Sequence, residues 1–553
     1  MRFQFTRPSE PDYCGPDKLY QPNETSEYGF LTETNRNADK RLQIPELNDG
    51  FQEVFWLDKS PITSILGDES GAYVDYAGQG EIPLTFAADV ASEGNYKIRI
   101  KLYASQDVKE LLIFTGRRRL AYIGSLQEGE VLIEDFITNI CPIIPRGMDR
   151  AMEDLTCDIT VLGRGVHLME LEITEWAGRT LYIAGDSTVT DQTADYPYLP
   201  GASYCGWGQM ISCYAGQQMA VSNHSHSGLT TESFRSEGHY QILIDRIKEN
   251  DICLFQYGHN DQKLMNLKSD EGYRQNLTRY INEIKAKGAI PVIISPLARN
   301  SWKNEAGAIV YNDLLQDYQV ECKRLAAEFQ VPYVELHNVA MERIIKEGRD
   351  SAKRFFFPSD YTHSNDYGAL LFASYVYGGL VKAGLMQDKL LKGWQPPKQI
   401  ELLEIPEECR NMKPADAVEI LTNIERPGDE LTRVEAMDFI IQTCKFFPTN
   451  VYNDMFTDVI GHETYAGTVE TAYQNGMIPE EMVENGQFLP AKAITKREFL
   501  ISLMQGYSSR KSLSGANPDM LQEALALGIT DDSKLDETIS RGVAAEICRQ
   551  INV

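Results

Sequence analysis

The sequence is short of positive charge, of closely spaced cysteines and of long apolar runs, and each shortage closes off a class of function. Against 80 Asp and Glu stand 53 Lys and Arg, a formal net charge of −27. Such a field repels nucleic acid and anionic membrane surfaces. It also disfavours long-range attraction of an acidic polysaccharide. Ten cysteines, at positions 14, 141, 157, 205, 213, 253, 322, 409, 444 and 548, show no pairing rhythm and no Cys-x-x-Cys. Neither a metal site nor a cofactor is expected. No stretch approaches the roughly 18 apolar residues of a transmembrane helix, so no membrane partner is expected. The start, Met1 to Pro8, lacks the apolar core of a signal peptide. A soluble, cytoplasmic chain is expected, or a secreted or wall-associated one if a leader has been trimmed away.

What is present is enough apolar material for several cores: 42% hydrophobic and 10% aromatic residues in 553, a length suited to about three or four domains. Residues 1–178 carry short, alternating, β-rich stretches such as Tyr96–Tyr103, Leu111–Phe114, Cys157–Leu162 and Val166–Ile173. This spacing predicts a β-sandwich, jelly-roll-like in kind. Tyr20, Tyr28, Phe51 and Trp56 are either sugar-stacking aromatics or buried ones.

From 179 to 386 apolar strands alternate with helical patterns. Strands are expected at Leu181–Ala184, Met219–Asn223, Asp251–Gln256, Ala289–Ser295 and Val331–Leu336, with helices at Trp207–Tyr214, Tyr240–Ile247, Asn276–Lys287 and Asn312–Phe329. That alternation implies a parallel sheet with right-handed crossovers, and Cys253 reads as a buried thiol within it. Pro396-Pro397 and the acidic run near Glu401 mark a linker, and 387–553 reads as an all-α domain.

Within the central region, Gly185-Asp186-Ser187 ends the first strand. A strand that stops at glycine and passes to a small hydroxyl residue is one way to present a nucleophile at a sheet edge. Three further segments follow: Asn223 to Gly228, Gly258-His259-Asn260-Asp261, and Asp360-Tyr361-Thr362-His363. Together they supply a hydroxyl, a glycine amide, a side-chain amide and an Asp–His pair, the parts an acyl-transfer site requires.

These four blocks, in this order, resemble those of the SGNH (GDSL-type) hydrolases, and most of all the rhamnogalacturonan acetylesterase group of carbohydrate esterases. The resemblance covers about 179–386. It implies a flavodoxin-like α/β/α domain with five parallel strands, and a metal-independent serine esterase. Ser187 is then the nucleophile, His363 its base and Asp360 the partner that fixes the imidazole. The oxyanion hole is formed by Ser187 and Gly228 N–H with the Asn260 amide. The substrate implied is acetylated plant cell-wall carbohydrate, rhamnogalacturonan first and xylan or mannan next. Trp207, His226 and Arg299 are candidate substrate contacts, with Arg299-Asn300-Ser301-Trp302-Lys303 alternatively a solvated loop. His224 and His226 either line the cleft or satisfy nearby backbone, and Asp186, His259 and Asp261 read as scaffolding. The alternatives are a lipase- or thioesterase-type hydrolase, or a non-catalytic carbohydrate-binding or wall-associated protein.

A faint repeat recurs in the last region at Leu431–Glu435, Ile494–Glu498 and Ile539–Val543. It resembles degenerate S-layer-homology repeats, helical modules that hold cell-wall polymers in exported proteins. Packing, homo-oligomerisation or partner contact are the roles expected of this region.

Overall fold

The computed structural model describes residues 1–6, 8–20, 28–31, 65–74, 83–144, 150–152, 155–192, 194, 201, 203–216, 218–305, 308–357, 360–388, 426–444, 446, 456–459, 465–510, 520–529 and 533–551. Phe51, Trp56, Pro396, Pro397, Glu401 and Cys409 lie outside the described residues.

Strict alternation in the N-terminal third produces two antiparallel sheets. In Gly94–Ala104 the residues Tyr96, Ile98, Ile100, Leu102 and Ala104 point inward, while Lys97, Arg99 and Lys101 point out. That strand pairs with Val131–Ile140 on one side and Val166–Glu175 on the other, in a six-stranded sheet. The second sheet runs Tyr28–Leu31, Leu84–Asp89, Thr156–Leu162, Val108–Thr115, Arg119–Leu126. Phe86, Ile113 and Val161 from the second share one core with Ile98, Ile100 and Leu171 from the first. Tyr20 is fully buried and Tyr28 half-buried against Phe3, which makes them packing residues.

Thr156–Leu162 is buried along its whole length instead of alternating. The reason is that the second sheet has no solvent face there: Leu112, Phe114, Leu120 and Leu162 pack with Trp207, Met210 and Tyr214 of the central region. Both faces of this sheet are therefore covered, with the buried polar residues Thr156, Asp158 and Thr160 among the apolar ones.

The central sheet has five parallel strands, in the order Ala220–Asn223, Thr180–Gly185, Ile252–Gln256, Ile290–Ile294, Tyr333–Val334. Numbered along the chain this is 2-1-3-4-5, a doubly wound order whose crevice opens between strands 1 and 3. Leu181 and Ile183 face a layer containing His337–Glu347 and Asp366–Lys382; Tyr182 and Ala184 face His239–Arg246, Arg274–Ala286 and Gln316–Phe329. In Arg274–Ala286 the buried set Leu277, Tyr280, Ile281 and Ile284 follows helical spacing. The helix expected over Trp207–Tyr214 is two short turns, Trp207–Met210 and Ser212–Ala215, joined at Ile211 with helical angles. Of the segment Arg299–Lys303, expected as a substrate contact or a solvated loop, Arg299, Asn300 and Ser301 are buried, and Trp302 and Lys303 open a β-hairpin, Trp302–Glu305 with Ala308–Tyr311.

Beyond residue 425, the three repeats each open a helix. Thr432 caps Arg433–Thr443 in a capping box with Glu435, Thr495 and Glu498 do the same for Lys496–Arg510, and Ser540 caps Arg541–Arg549. The repeats close on one another: Leu431 N–H donates to Ile539 O at 2.9 Å, Ile494 N–H to Leu431 O at 2.9 Å, and Ile539 N–H to Ile494 O at 3.2 Å. Arg433 reaches Glu498 at 2.8 Å and Arg541 reaches Glu435. The third position of this ring holds Val543 instead of an acid, so Lys496 donates to Ser533 O at 2.9 Å. Among the described residues no helix is long and apolar enough to cross a membrane.

Candidate active site

Three loops at the carboxyl ends of the central strands, and one before the last helix, converge at the sheet's crevice. The first strand ends at Gly185, where a Cβ would lie 2.8 Å from Val189 Cγ2 and 2.9 Å from Gln256 O; only glycine fits the turn. Asp186, wholly buried, then fastens it. Its Oδ1 accepts from Thr188 N at 2.9 Å and Thr188 Oγ1 at 2.7 Å, and its Oδ2 lies 3.1 Å from His259 Nδ1. Burial by itself would raise this carboxyl, but His259 and the Thr188 bonds outweigh it and hold it below the usual range. His259 Nε2 faces Leu297 O at 2.9 Å. Both imidazole nitrogens thus face acceptors; burial outweighs the neighbouring Asp186 and holds the His259 pKa below its ordinary value.

The turn presents Ser187 to His363. Ser187 Oγ is 2.7 Å from His363 Nε2, and His363 Nδ1 is 2.8 Å from Asp360 Oδ2. Asp360 divides its two oxygens between tasks. Oδ1 accepts the Thr362 and His363 backbone N–H at 2.7 and 2.9 Å, shaping the loop, while Oδ2 faces the ring. Burial opposes its charge, but the His363 contact and these bonds prevail and keep the carboxyl below its ordinary range. An ionised Asp360 fixes the tautomer with Nδ1–H toward itself and Nε2 free to accept from the serine hydroxyl. Tyr204 meets the imidazole edge-on at 5.8 Å and stacks on Phe357 at 3.7 Å.

In the second loop, Gly228 takes φ +86, with open space where a Cβ would stand. Among the described residues neither its N–H nor that of Ser187 has an acceptor. Asn260 Nδ2 donates to Leu229 O at 3.1 Å, and its Oδ1 accepts from Lys263 Nζ at 3.0 Å. One amide hydrogen orients Asn260, and a second remains to be used.

A model of the GDSL-like lipase/acylhydrolase family matches residues 183–369. Rhamnogalacturonan acetylesterase RhgT of Bacillus subtilis is 32% identical over 227 residues, 38% of this chain and 94% of the relative. The chain belongs to the GDSL-like lipase/acylhydrolase family. It is a serine ester hydrolase. The probable rhamnogalacturonan acetylesterase YesY of the same organism is 32% identical over 213 residues, 37% of this chain and 94% of the relative. The crystal structure of protein YxiM from Bacillus subtilis is similar at 20% identity and a TM-score of 0.37, over 69% of this chain and 98% of that one.

Two of the substrate contacts expected from the sequence are corrected in this GDSL-family hydrolase. Trp207 has no exposed surface; its Nε1 donates to Gln256 Oε1 at 2.8 Å, and Gln256 Nε2 donates on to Thr188 Oγ1 at 2.9 Å. It props the Gly185–Thr188 turn from inside. Arg299 is 2% exposed and donates to His259 O at 3.4 Å. Burial pulls its pKa down to about 10, opposed by Glu470, Asp186 and Asp360. It is a buried counter-charge behind the site. His226 has its N–H on Gly185 O at 3.2 Å and its Nδ1 3.1 Å from Ser227 O. His224, pushed to about 3 by burial, sits 2.9 Å from Ser222 Oγ.

Asp261 ties the third loop to the second, its Oδ1 accepting from Thr231 N at 2.9 Å and Thr231 Oγ1 at 2.6 Å. Its Oδ2 is buried without a partner among the described residues, and burial lifts the carboxyl to about 7. A residue that no motif marks also holds the Ser187 loop: Gln192 Nε2 donates to Ser187 O at 3.2 Å and Ser227 Oγ at 3.4 Å. Among the described residues no His, Cys, Asp and Glu cluster is arranged to hold a metal.

Proposed function

We propose that the protein is a carbohydrate O-acetylesterase working through an acetyl-serine intermediate. The observation that carries this is the continuous line from Ser187 Oγ through His363 to Asp360, at 2.7 and 2.8 Å. His363 Nε2 takes the hydroxyl proton as Ser187 Oγ bonds to the acetyl carbon. Asp360 stabilises the imidazolium and keeps its tautomer. The carbonyl oxygen becomes an oxyanion received by the N–H groups of Ser187 and Gly228 and by the Asn260 amide, each donor contributing about 3–4 kcal/mol. Collapse breaks the C–O bond to the sugar, and the imidazolium returns its proton to the departing sugar oxygen. Water, deprotonated by His363, then attacks the acetyl-serine; acetate leaves and Ser187 Oγ regains a proton.

The substrate reading draws on the names of the relatives. Acetylated rhamnogalacturonan comes first, xylan and mannan next. The charge of −27 favours short, sparsely charged fragments over an acidic polymer. Residues 179–386 are the catalytic domain in this proposal, with 1–178 and 387–553 as accessory domains. Measuring acetate released from acetylated rhamnogalacturonan, xylan and mannan oligosaccharides tests it. Turnover of a sugar acetate well above that of a long-chain fatty ester is expected; the reverse order contradicts the carbohydrate assignment.

A further inference from the structure

The turn joining Val108–Thr115 to Arg119–Leu126 carries three consecutive arginines, with Gly116 at φ +52 and Arg118 at φ +54. It belongs to the β-sandwich, yet all three side chains are buried and reach strands and loops of the central region. Arg118 has no exposed surface. Its Nη1 lies 2.5 Å from both carboxylate oxygens of Asp366, its Nε donates to Gln192 O at 3.3 Å, and its Nη2 donates to Tyr204 O. Arg117 Nη2 donates to Asn223 O at 3.1 Å and stands 3.3 Å from Asp191 Oδ2, while Arg119 Nη1 donates to Val221 O at 2.6 Å.

Each recipient of the Arg118 bonds is one step from a group of the site. Gln192 holds the carbonyl of Ser187. Tyr204 presses its ring against the edge of His363. Asp366 opens the last helix three residues after His363. A guanidinium offers five donors in one rigid plane, so a single Arg118 bonds three separate segments in a fixed mutual geometry. An ammonium on a flexible stem has neither the count nor the plane.

We propose that the Arg117–Arg119 turn is a positioning element for ester hydrolysis, with Arg118 its central positioning residue: the β-sandwich holds the nucleophile loop and the histidine loop in register. This rests on the esterase reading above. Serine and imidazole must meet within a few tenths of an ångström, and a shift of about 1 Å costs about a hundredfold in rate.

The test uses the full chain and p-nitrophenyl acetate, with thermal unfolding followed in parallel. Two variants are compared with wild type: Arg118→Lys, and Arg118→Met combined with Asp366→Leu. The second removes both buried charges together, because the carboxylate left unpaired by Arg118→Met alone would be strongly destabilising. In both variants kcat is expected to fall about 10- to 100-fold with KM within about twofold of wild type and cooperative unfolding retained. The double variant stays slow because the bonds to Gln192 and Tyr204 remain missing. A folded variant of either kind with wild-type kcat overturns the proposal, as does a loss confined to KM. Failure of both to fold overturns it too, since the turn would then support the fold instead of the site. Absence of turnover by the wild type would instead defeat the esterase reading before any variant is compared.

Discussion

Tyr361, between Asp360 and His363, donates its buried hydroxyl at 2.6 Å to Oδ1 of Asn475, at the end of the helix Ala466–Gln474 in the C-terminal region. Tyr361 O also accepts from Asn300 N at 2.8 Å, and Arg349 Nη2 donates to Gln474 O at 3.2 Å. The loop carrying the Asp–His pair is thus braced from a part of the chain more than 100 residues away.

The two partners are not equivalent. Ser509 Oγ also donates to Asn475 Oδ1, at 3.2 Å, so Tyr361→Phe leaves the amide oxygen served and should cost about 1 kcal/mol. Asn475→Ala strands the buried hydroxyl and should cost about 1–3 kcal/mol, with the larger loss of kcat. Denaturant unfolding and esterase kinetics check this order; equal effects would contradict it.

The carboxyl of Asp261 titrates near 7, lifted by burial from 3.8. A folded-state pKa above the unfolded one means that stability is fully present below about pH 4 and declines as pH rises through 7. The decline is about 1.4 kcal/mol for each pH unit that separates the folded and unfolded titrations. Asp261→Asn keeps an acceptor for Thr231 and removes the charge. Between pH 5 and 8 the wild type is expected to lose stability relative to this variant; parallel curves would refute the assignment.

Asp360→Asn should fold, since the amide oxygen can still accept the Thr362 and His363 N–H groups. Its NH2 would oppose the tautomer that His363 needs, and kcat should fall about 10⁴-fold. Wild-type activity in a folded variant would remove Asp360 from the mechanism.

Asn260→Ala removes one oxyanion donor, and a loss of about 10²–10³ in kcat is expected with KM little changed. Gly228→Ala meets no steric block but forces an L-residue to φ +86, worth about 1–2 kcal/mol. Its effect should appear in stability through backbone strain, whereas the stability lost in Asn260→Ala is that of its bonds to Leu229 O and Lys263 Nζ, about 1–3 kcal/mol.

Much of the central sheet was legible because each strand is an apolar run with a glycine or polar stop after it, as at Gly185 and Gly258. Three of the four blocks fall at those stops, so their convergence follows from the parallel topology; the fourth, Asp360–His363, lies in the loop before Asp366–Lys382. Arg119–Leu126 and Val131–Ile140 escaped notice because the sandwich is covered on more than one face, which blurs alternation. Trp207 and Arg299 misled because exposure is a tertiary property: an Arg after a strand looks like a cleft residue until Glu470 and Asp360 surround it. The Arg117–Arg119 turn acts across segments far apart in sequence, and local pattern carries no trace of that.

Catalysis stands on the hydroxyl of Ser187 being activated by His363. Steady-state hydrolysis of p-nitrophenyl acetate by Ser187→Ala, His363→Ala and the double variant measures this directly. Each single variant is expected to lose about 10⁴–10⁶ in kcat, and the double variant to be no worse than either, because the two groups act as one unit. Turnover within about tenfold of wild type by a folded Ser187→Ala, or losses that multiply in the double variant, would contradict it.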